Sequence, residues 1–479
     1  MREPEEFHEF EGTGSVGTKG QFLAFMLIIA AIGAALWFLL KNYKQTLAGT
    51  VFLALVIGTL MFWRLRVGIA FIGIAFLLLT RTINLSSTIE YMSLDVIVFL
   101  VGMMVIVGLL RRSGFFRHVV AAGLKATNFR PNLLFAAVLT LSAVMAAMVD
   151  EVTSIFFVTA LVLDLCDYFE VKPVNYVIFT VLATNIGSSW TVLGNPVGIL
   201  IALRSKLTLE DFLGVAFPIG LAAFVFLIIV ALLWQRRDLR QLRDGIKSRS
   251  IEEQRRFLDD WAGPRSRRLF WGSVLLFASV LASIALHHRM ELLLCLEHNT
   301  LLVVTSIGGA GAVLVWQRKD AREFLTKDVD WATLVFFMFL FAKAGAIKYV
   351  GLTDVIAHSL ANFTSGTGGL VLLIVIVVWL SGITSAVMDN VVVVAAFLPV
   401  IEELTKTTGS PVLYWALLTG ACFGGNLTMV GSTANIVSLG ILEARKNYNM
   451  TFGYWLKIGL LGSLVPLAIA TVVLIVMYT

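Results

Sequence analysis

The chain is predicted to be an all-α polytopic membrane protein built from two inverted repeats, each with a re-entrant hairpin and a broken transmembrane helix. Three observations predict this. First, the composition is 58% hydrophobic and 14% charged, with mean hydropathy +0.88, whereas soluble domains are about 25% charged. Second, apolar runs recur from Gln21 to the C-terminus at about the 20-residue length that a helix needs to cross a bilayer. Third, two polar stretches are versions of one another. Gly187-Ser-Ser-Trp-Thr191-Val-Leu-Gly194-Asn195-Pro196 recurs as Gly424-Gly-Asn-Leu-Thr428-Met-Val-Gly431-Ser432-Thr433 at a constant offset of 237. Upstream of each lies an acid in an apolar run, Asp150 and Asp389, which are 239 apart. Gly108 and Gly114 pair with Gly345 and Gly351, again at 237.

Taken in order, residues 1–66 read as an N-terminal tail and scaffold helices, with spans near 21–40 and 46–63. No small-residue cleavage site clearly follows the first apolar run, so it reads as a retained span rather than a cleaved signal. Repeat 1 covers 67–235, with spans near 67–82, 94–110 and 212–235, a hairpin at 131–170 and a broken helix at 174–204. Between Arg236 and Arg268 there are 11 Lys/Arg and 6 Asp/Glu. The positive-inside rule makes 236–268 a cytoplasmic basic loop, a simpler reading than a nucleic-acid patch. Residues 269–299 form a scaffold helix and an outer loop. Repeat 2 covers 300–479, with spans near 300–316, 331–350 and 456–478, a hairpin at 368–405 and a broken helix at 411–442.

With the basic loop fixed inside, the turns at 63–66, 111–112, 125–130, 318–327 and 445–446 also fall inside, and the N-terminus is cytoplasmic. The segments 83–93, 288–299 and 351–367 fall outside and are poor in Lys/Arg. Lys41, Lys44, Arg204, Lys206 and Lys406 run against the rule. The count closes only if 131–170 enters from the cytoplasm and returns there while 368–405 does the same from outside. Each carries its acid near the midpoint, at a re-entrant tip. Irregular backbone at membrane depth survives where protein buries it or where it lines a wet cavity.

The broken helices are interrupted by Thr184, Asn185, Gly187, Ser188, Ser189, Thr191, Gly194 and Asn195 in repeat 1. In repeat 2 the interrupting residues are Gly424, Asn426, Thr428, Gly431, Ser432, Thr433 and Asn435. Unwinding frees carbonyls and amides. Half-helix N-termini attract anions, and freed carbonyls and side-chain oxygens coordinate cations. The same small polar residues also serve to hydrogen-bond broken backbone between helices. Trp190, replaced by Leu427 in the second repeat, either lines one side of the cavity or packs.

Asp150, Glu151, Asp389 and Lys343 lie deep in apolar sequence. A charge at the bilayer centre costs about 2.5–3.5 kcal/mol on insertion scales, so such residues pair, face water or stay neutral, and they mark ion paths. Asp389, beside Asn390, suits an ion ligand and equally a cap on exposed tip amides. Asp150 and Glu151 are adjacent, and two carboxylates in a low-dielectric site do not both ionise easily. That suits a proton carrier or a site neutralised by a bound cation. Lys343 suits structural pairing, coupling or a counter-charge for an anion.

Enzyme chemistry finds no support. There is no P-loop. The histidines (His8, His118, His287, His288, His298, His358) form no metal-ligand set, and the pair His287-His288 reads as an exposed loop feature. Cys166, Cys295 and Cys422 are scattered and read as packing residues. No cofactor is expected beyond Na⁺ or H⁺ as a coupling ion.

Ser385-Ala-Val-Met-Asp389-Asn390-Val and the run from Gly420 through Gly424-Gly-Asn426-Leu-Thr428-Met-Val-Gly431-Ser432-Thr433-Ala-Asn435 resemble the second-half signature of the ion transporter superfamily. That group includes arsenite efflux permeases, D-type sodium/proton antiporters, citrate and dicarboxylate transporters and the melanosomal P protein. Asn185-Ile-Gly187 through Gly194-Asn195-Pro196 is similar to its first-half signature. The resemblance runs from about residue 67 onward and is strongest to the P-protein and arsenite-permease branch. It implies scaffold helices around a transport core, and often a homodimer. There are two departures. The family's first hairpin usually reads Asp-Asn, and here it reads Asp150-Glu151. The first broken helix usually ends in two prolines then Asn, and here Pro196 is followed by Val197-Gly198. Both fall at the inferred site, so no relative's substrate carries over.

The sequence therefore leads to a secondary active transporter of a small ion in the cell membrane, coupled to H⁺ or Na⁺ by alternating access. Cation/proton antiport ranks first, efflux of arsenite or another small anion second, and citrate-like carboxylate transport third. A passive ion channel is the alternative of a different class. The basic loop could also dock a separate ATPase subunit.

Overall fold

The structure, a computed structural model, describes residues 18–479 apart from 264–265, 364–367, 447 and 449. The tail 1–17, with His8 and the expected cytoplasmic N-terminus, lies outside the described residues, as do residues 264–265 of the basic loop. Every regular element among the described residues is a helix.

The chain opens with α1 (Lys19–Leu40), α2 (Tyr43–Met61), α3 (Arg66–Leu79) and the short α4 (Leu85–Tyr91). Then come α5 (Leu94–Arg112) and α6 (Phe115–Ala126), followed by two helix pairs. The first is α7 (Pro131–Met148) with α8 (Glu151–Tyr168), and the second is α9 (Val174–Gly187) with α10 (Pro196–Ser205). α11 (Leu209–Asp211) runs through a π turn into α12 (Phe217–Trp234). The charged middle segment forms α13 (Arg236–Lys247) and α14 (Ile251–Ala262), and α15 (Arg267–Leu294), α16 (Thr300–Trp316) and α17 (Ala321–Glu323) follow. The pattern then recurs. α18 (Trp331–Tyr349) and α19 (Leu352–Phe363) lead to the pair α20 (Gly369–Ser385) and α21 (Asn390–Thr408). The pair α22 (Val412–Gly424) and α23 (Thr433–Lys446) precedes the final α24 (Phe452–Tyr478).

The repeat is written in the backbone. α5 and α18 begin 237 residues apart, as do α6 and α19, and α10 and α23. α8 and α21 begin 239 apart. Gly114 opens α6 at φ 74° and Gly351 precedes α19 at φ 73°. This is the left-handed region that glycine enters without a Cβ penalty.

Among the described residues, eight helical stretches are long and apolar enough to cross a membrane: α1, α2, α5, α7, α15, α18, α24 and the continuous run Leu209–Trp234. The halves of the two broken helices have only 10 to 14 residues each. No residue of α1 is buried, whereas every residue of α22 is. The broken helices thus sit at the centre. Each is gripped by the arm before it, α9 by α7 and α22 by α20. Glycine permits this grip. A Cβ on Gly187 would lie 2.3 Å from the carbonyl oxygen of Ala143, and one on Gly424 would lie 2.2 Å from that of Gly382. Around the centre, α5 packs on α16 and, reciprocally, α18 packs on α3.

One local reading is corrected. The pair His287-His288 is not a loop feature, because the helix runs on through Glu291-Leu-Leu-Leu294. His287 is buried, with Nδ1 2.7 Å from the carbonyl oxygen of Ile284. One turn later the buried Glu291 carboxylate accepts from the amides of Asn299 and Leu301, at 3.0 and 2.8 Å, and closes the turn into α16.

Candidate functional site

Four helix starts follow four chain breaks, and short polar side chains or proline set each start. Asp150 caps α8, its Oδ1 accepting from the Thr153 amide at 2.7 Å. Asp389 caps α21 through the Val391 amide at 2.9 Å. Asn195 caps α10 through the Gly198 amide at 2.8 Å, with Pro196 in the first turn. These are the residue types that satisfy orphan N-terminal amides. Thr433, the first residue of α23, donates its hydroxyl to Asp389 Oδ2.

Equivalent threonines tie each unwound stretch to the adjacent tip. Thr191 Oγ1 donates to the Ala147 carbonyl, and Thr428 Oγ1 donates to the Ala386 carbonyl. Gly194 and Gly431 close each stretch against the carbonyls of Ser188 and Gly425.

The halves then meet. Asn185 Nδ2 donates to Asn426 Oδ1 at 2.8 Å and to Asn435 Oδ1 at 2.9 Å, and Ser432 Oγ donates to Asn185 Oδ1 at 3.1 Å. Asn435 Nδ2 holds the carbonyls of Gly425 and Thr428. Asn195 Nδ2 donates to Ser188 Oγ at 2.9 Å and to Cys422 Sγ at 3.3 Å. Asn195 and Ser432 are equivalent positions, and so are Cys422 and Asn185. The contacts Asn195–Cys422 and Ser432–Asn185 are therefore one contact made twice, the reciprocity expected of a twofold relation.

Glu151 and Asn390 are also equivalent positions, and they touch each other. Asn390 Nδ2 donates to the two carboxylate oxygens at 3.3 and 3.4 Å. Residues exchanged by a twofold meet only at the axis, so this pair marks it. Glu151 is 2% exposed and Asp389 7%; Asp150 is half-buried. Among the described residues no lysine or arginine forms a salt bridge with any of the three acids. No group of three His, Cys, Asp or Glu side chains is arranged to hold a metal ion. The Arg111 guanidinium, held by Asp328, lies within electrostatic range of Asp150.

Three expected residues are not brought to this cluster. Thr184 bonds Ser142 of α7 at 2.6 Å, and Ser189 back-bonds the Ile186 carbonyl beneath Gly220 of α12. Lys343 is buried and points to another element, its Nζ donating to the Ile69 carbonyl of α3 at 3.1 Å. Trp190 packs against Phe217 and Phe224 of α12. Conversely, Cys422 belongs to the site although it reads as a packing residue. Its position 237 after Asn185 is the signal that identifies it.

Comparison with known proteins gives the family and the fold. The family model described as citrate transporter matches residues 52–420. An uncharacterized transporter of Mycobacterium tuberculosis is 31% identical over 396 residues, covering 80% of this chain and 86% of that protein. The P protein of Homo sapiens is 25% identical, covering 78% of this chain and 52% of that protein. Among solved structures, the YdaH transporter of Alcanivorax borkumensis, described as having an unusual topology, matches with TM-score 0.56 at 18% identity, over 84% of this chain and 88% of that one. The chain belongs to the citrate transporter family, and it is an integral membrane transporter rather than an enzyme.

Proposed function

We propose that this member of the family is a secondary active transporter of the plasma membrane, moving a small ion by alternating access with H⁺ or Na⁺ as coupling ion, and that its reaction is cation/proton antiport. One observation carries the reading: acids at the tips of two helix pairs and polar residues of two broken helices, contributed by both repeats, form a single buried network. Inverted repeats with broken helices at a central site are the architecture of alternating access. In the proposed topology the two tips reach the site from opposite faces, so each repeat supplies one gate. Glu151 and Asp389, buried without a salt bridge to any described lysine or arginine, call for a cation or protons, since each buried charge left alone costs about 2.5–3.5 kcal/mol.

Carboxylate transport is the second reading. It is favoured by the family's description and by the four helix N-termini at the site, which attract anions. The position of Lys343 weighs against it, because the one basic candidate for a carboxylate partner lies in the frame against α3. A homodimer in the membrane, with the N-terminus cytoplasmic, completes the proposal.

The test is transport into proteoliposomes loaded with a pH-sensitive dye, challenged in turn with Na⁺, Li⁺, K⁺, arsenite and citrate. Proton movement on adding Na⁺ or Li⁺, lost in Asp389→Asn, is the expected result. A response to citrate or arsenite alone overturns antiport in favour of anion transport. Non-saturating conductance without proton movement overturns it in favour of a channel.

A further inference from the structure

The three acids do not have equal duties. Asp150 and Asp389 are each committed to a helix start, and Asp389 also holds Thr433. Glu151 caps nothing. Its buried carboxylate accepts from the neutral Asn390 amide and faces the Asp389 carboxylate across the site. Asn390 is 1% exposed, and its Oδ1 has no hydrogen-bond partner. Buried polar atoms are otherwise nearly always satisfied, so an orphan beside a buried carboxylate points to a missing ligand. A carboxylate and an amide oxygen are the donors that a hard cation takes.

A charge count sets the valence. The N-termini of α8, α10, α21 and α23 meet at this network, and each carries roughly half a positive charge, or about +2 together. Three carboxylates, with the Arg111 guanidinium within electrostatic range of Asp150, leave at most about one negative charge, which a single monovalent cation neutralises. An asparagine at position 151, matching Asn390, would bring the count near zero.

We infer that Glu151 and Asn390 form a single monovalent-cation site on the pseudo-twofold axis, with Glu151 rather than the capping aspartates supplying the charge that holds the ion. The inference rests on the transporter reading and deepens it. It has a consequence that a structural role for Glu151 would not have. Because the pair lies on the axis, exchanging the two side chains leaves the charge in place.

The experiment uses the purified full chain in nanodiscs. Thermal unfolding is followed against NaCl or LiCl, with choline chloride holding ionic strength constant. Equilibrium dialysis of the wild type measures stoichiometry. Wild type is expected to be stabilised by Na⁺ or Li⁺ and to bind one ion per chain. In Glu151→Gln the apparent affinity is expected to fall at least about tenfold. The exchanged double variant, Glu151→Asn with Asn390→Glu, is expected to return to within about threefold of wild type. No binding by wild type overturns the site, and so does an unchanged response in Glu151→Gln. An exchanged variant that unfolds as cooperatively as wild type yet binds nothing also overturns it. The same preparations in proteoliposomes separate the two claims. Flux without cation binding sinks this site and leaves the transporter standing, whereas cation binding without flux of any solute does the reverse.

Discussion

At the first tip Asp150 caps α8 and makes no bond to its own broken helix, because the residue equivalent to Thr433 is Pro196, which has no hydroxyl. At the second tip Asp389 caps α21 and also accepts from Thr433, which pins the tip to α23. The next position differs as well, carrying Glu151 at the first tip and Asn390 at the second. One repeat thus carries the extra charge and the other the extra anchor. The lesson concerns how a duplicated unit specialises. Packing positions remained interchangeable, as Gly187 and Gly424 do against their arms. Positions at the tips diverged, and the tip with the extra carboxylate is the less anchored one.

The largest expected effect tests whether the tips are equal in function. Asp389→Asn and Asp150→Asn should each reduce coupled flux to background in the dye-loaded proteoliposomes, because each removes a carboxylate from the tip beside the site where Glu151 holds the ion. Thermal unfolding should stay cooperative in both, since asparagine caps helices about as well as aspartate. Wild-type flux in either variant would restrict the site to the other tip.

Next come the glycines that let the arms grip the broken helices. Gly187→Ala and Gly424→Ala each push a methyl to within 2.4 Å of facing backbone. Each should destabilise the chain by about 1–3 kcal/mol or more, the range for overpacking. The two costs should match within about 0.5 kcal/mol if the halves pack alike. A one-sided effect in thermal unfolding would show that the symmetry of contacts hides an asymmetry of strength.

The anchor itself is smaller. Thr433→Val removes a hydrogen bond to a carboxylate and should cost about 1.5–3 kcal/mol. Its equivalent, Pro196→Ala, breaks no such bond, so only the repeat-2 change should loosen its tip. Hydrogen exchange in the first turn of α21 would read this directly.

Much of this was legible in the sequence. The offset of 237 placed both broken helices, and an acid midway along an apolar run placed each tip, because glycine, asparagine and proline interrupt a helix where they cluster within a few residues. The duties of the acids were not legible. Whether Asp150 or Glu151 caps α8 depends on one residue of helical register. The place of Lys343 was also hidden. Its partner is a carbonyl 274 positions away, reached over Gly73, whose missing Cβ leaves room for the ammonium. Cys422 escaped notice because residue type was weighed before position. Its equivalence to Asn185 carried the information that its chemistry did not.

The finest comparison uses the two threonines that tie the unwound stretches to the tips. Thr191 and Thr428 donate to equivalent carbonyls, and each also accepts from the amide two residues on, at 3.2 and 3.3 Å. Replacing either by valine keeps the shape but orphans one carbonyl and one amide, at a cost of about 1 kcal/mol per lost bond. Thr191→Val and Thr428→Val should therefore lower thermal stability by similar amounts. Their effects on flux should differ. The repeat-2 tip keeps the Thr433 bond when Thr428 is lost, whereas Asp150 of the repeat-1 tip offers no such bond to its own broken helix when Thr191 is lost. Thr191→Val should then slow transport more than Thr428→Val at equal stability. Equal slowing would mean that the Thr433–Asp389 bond serves the fold and not the motion of the tip.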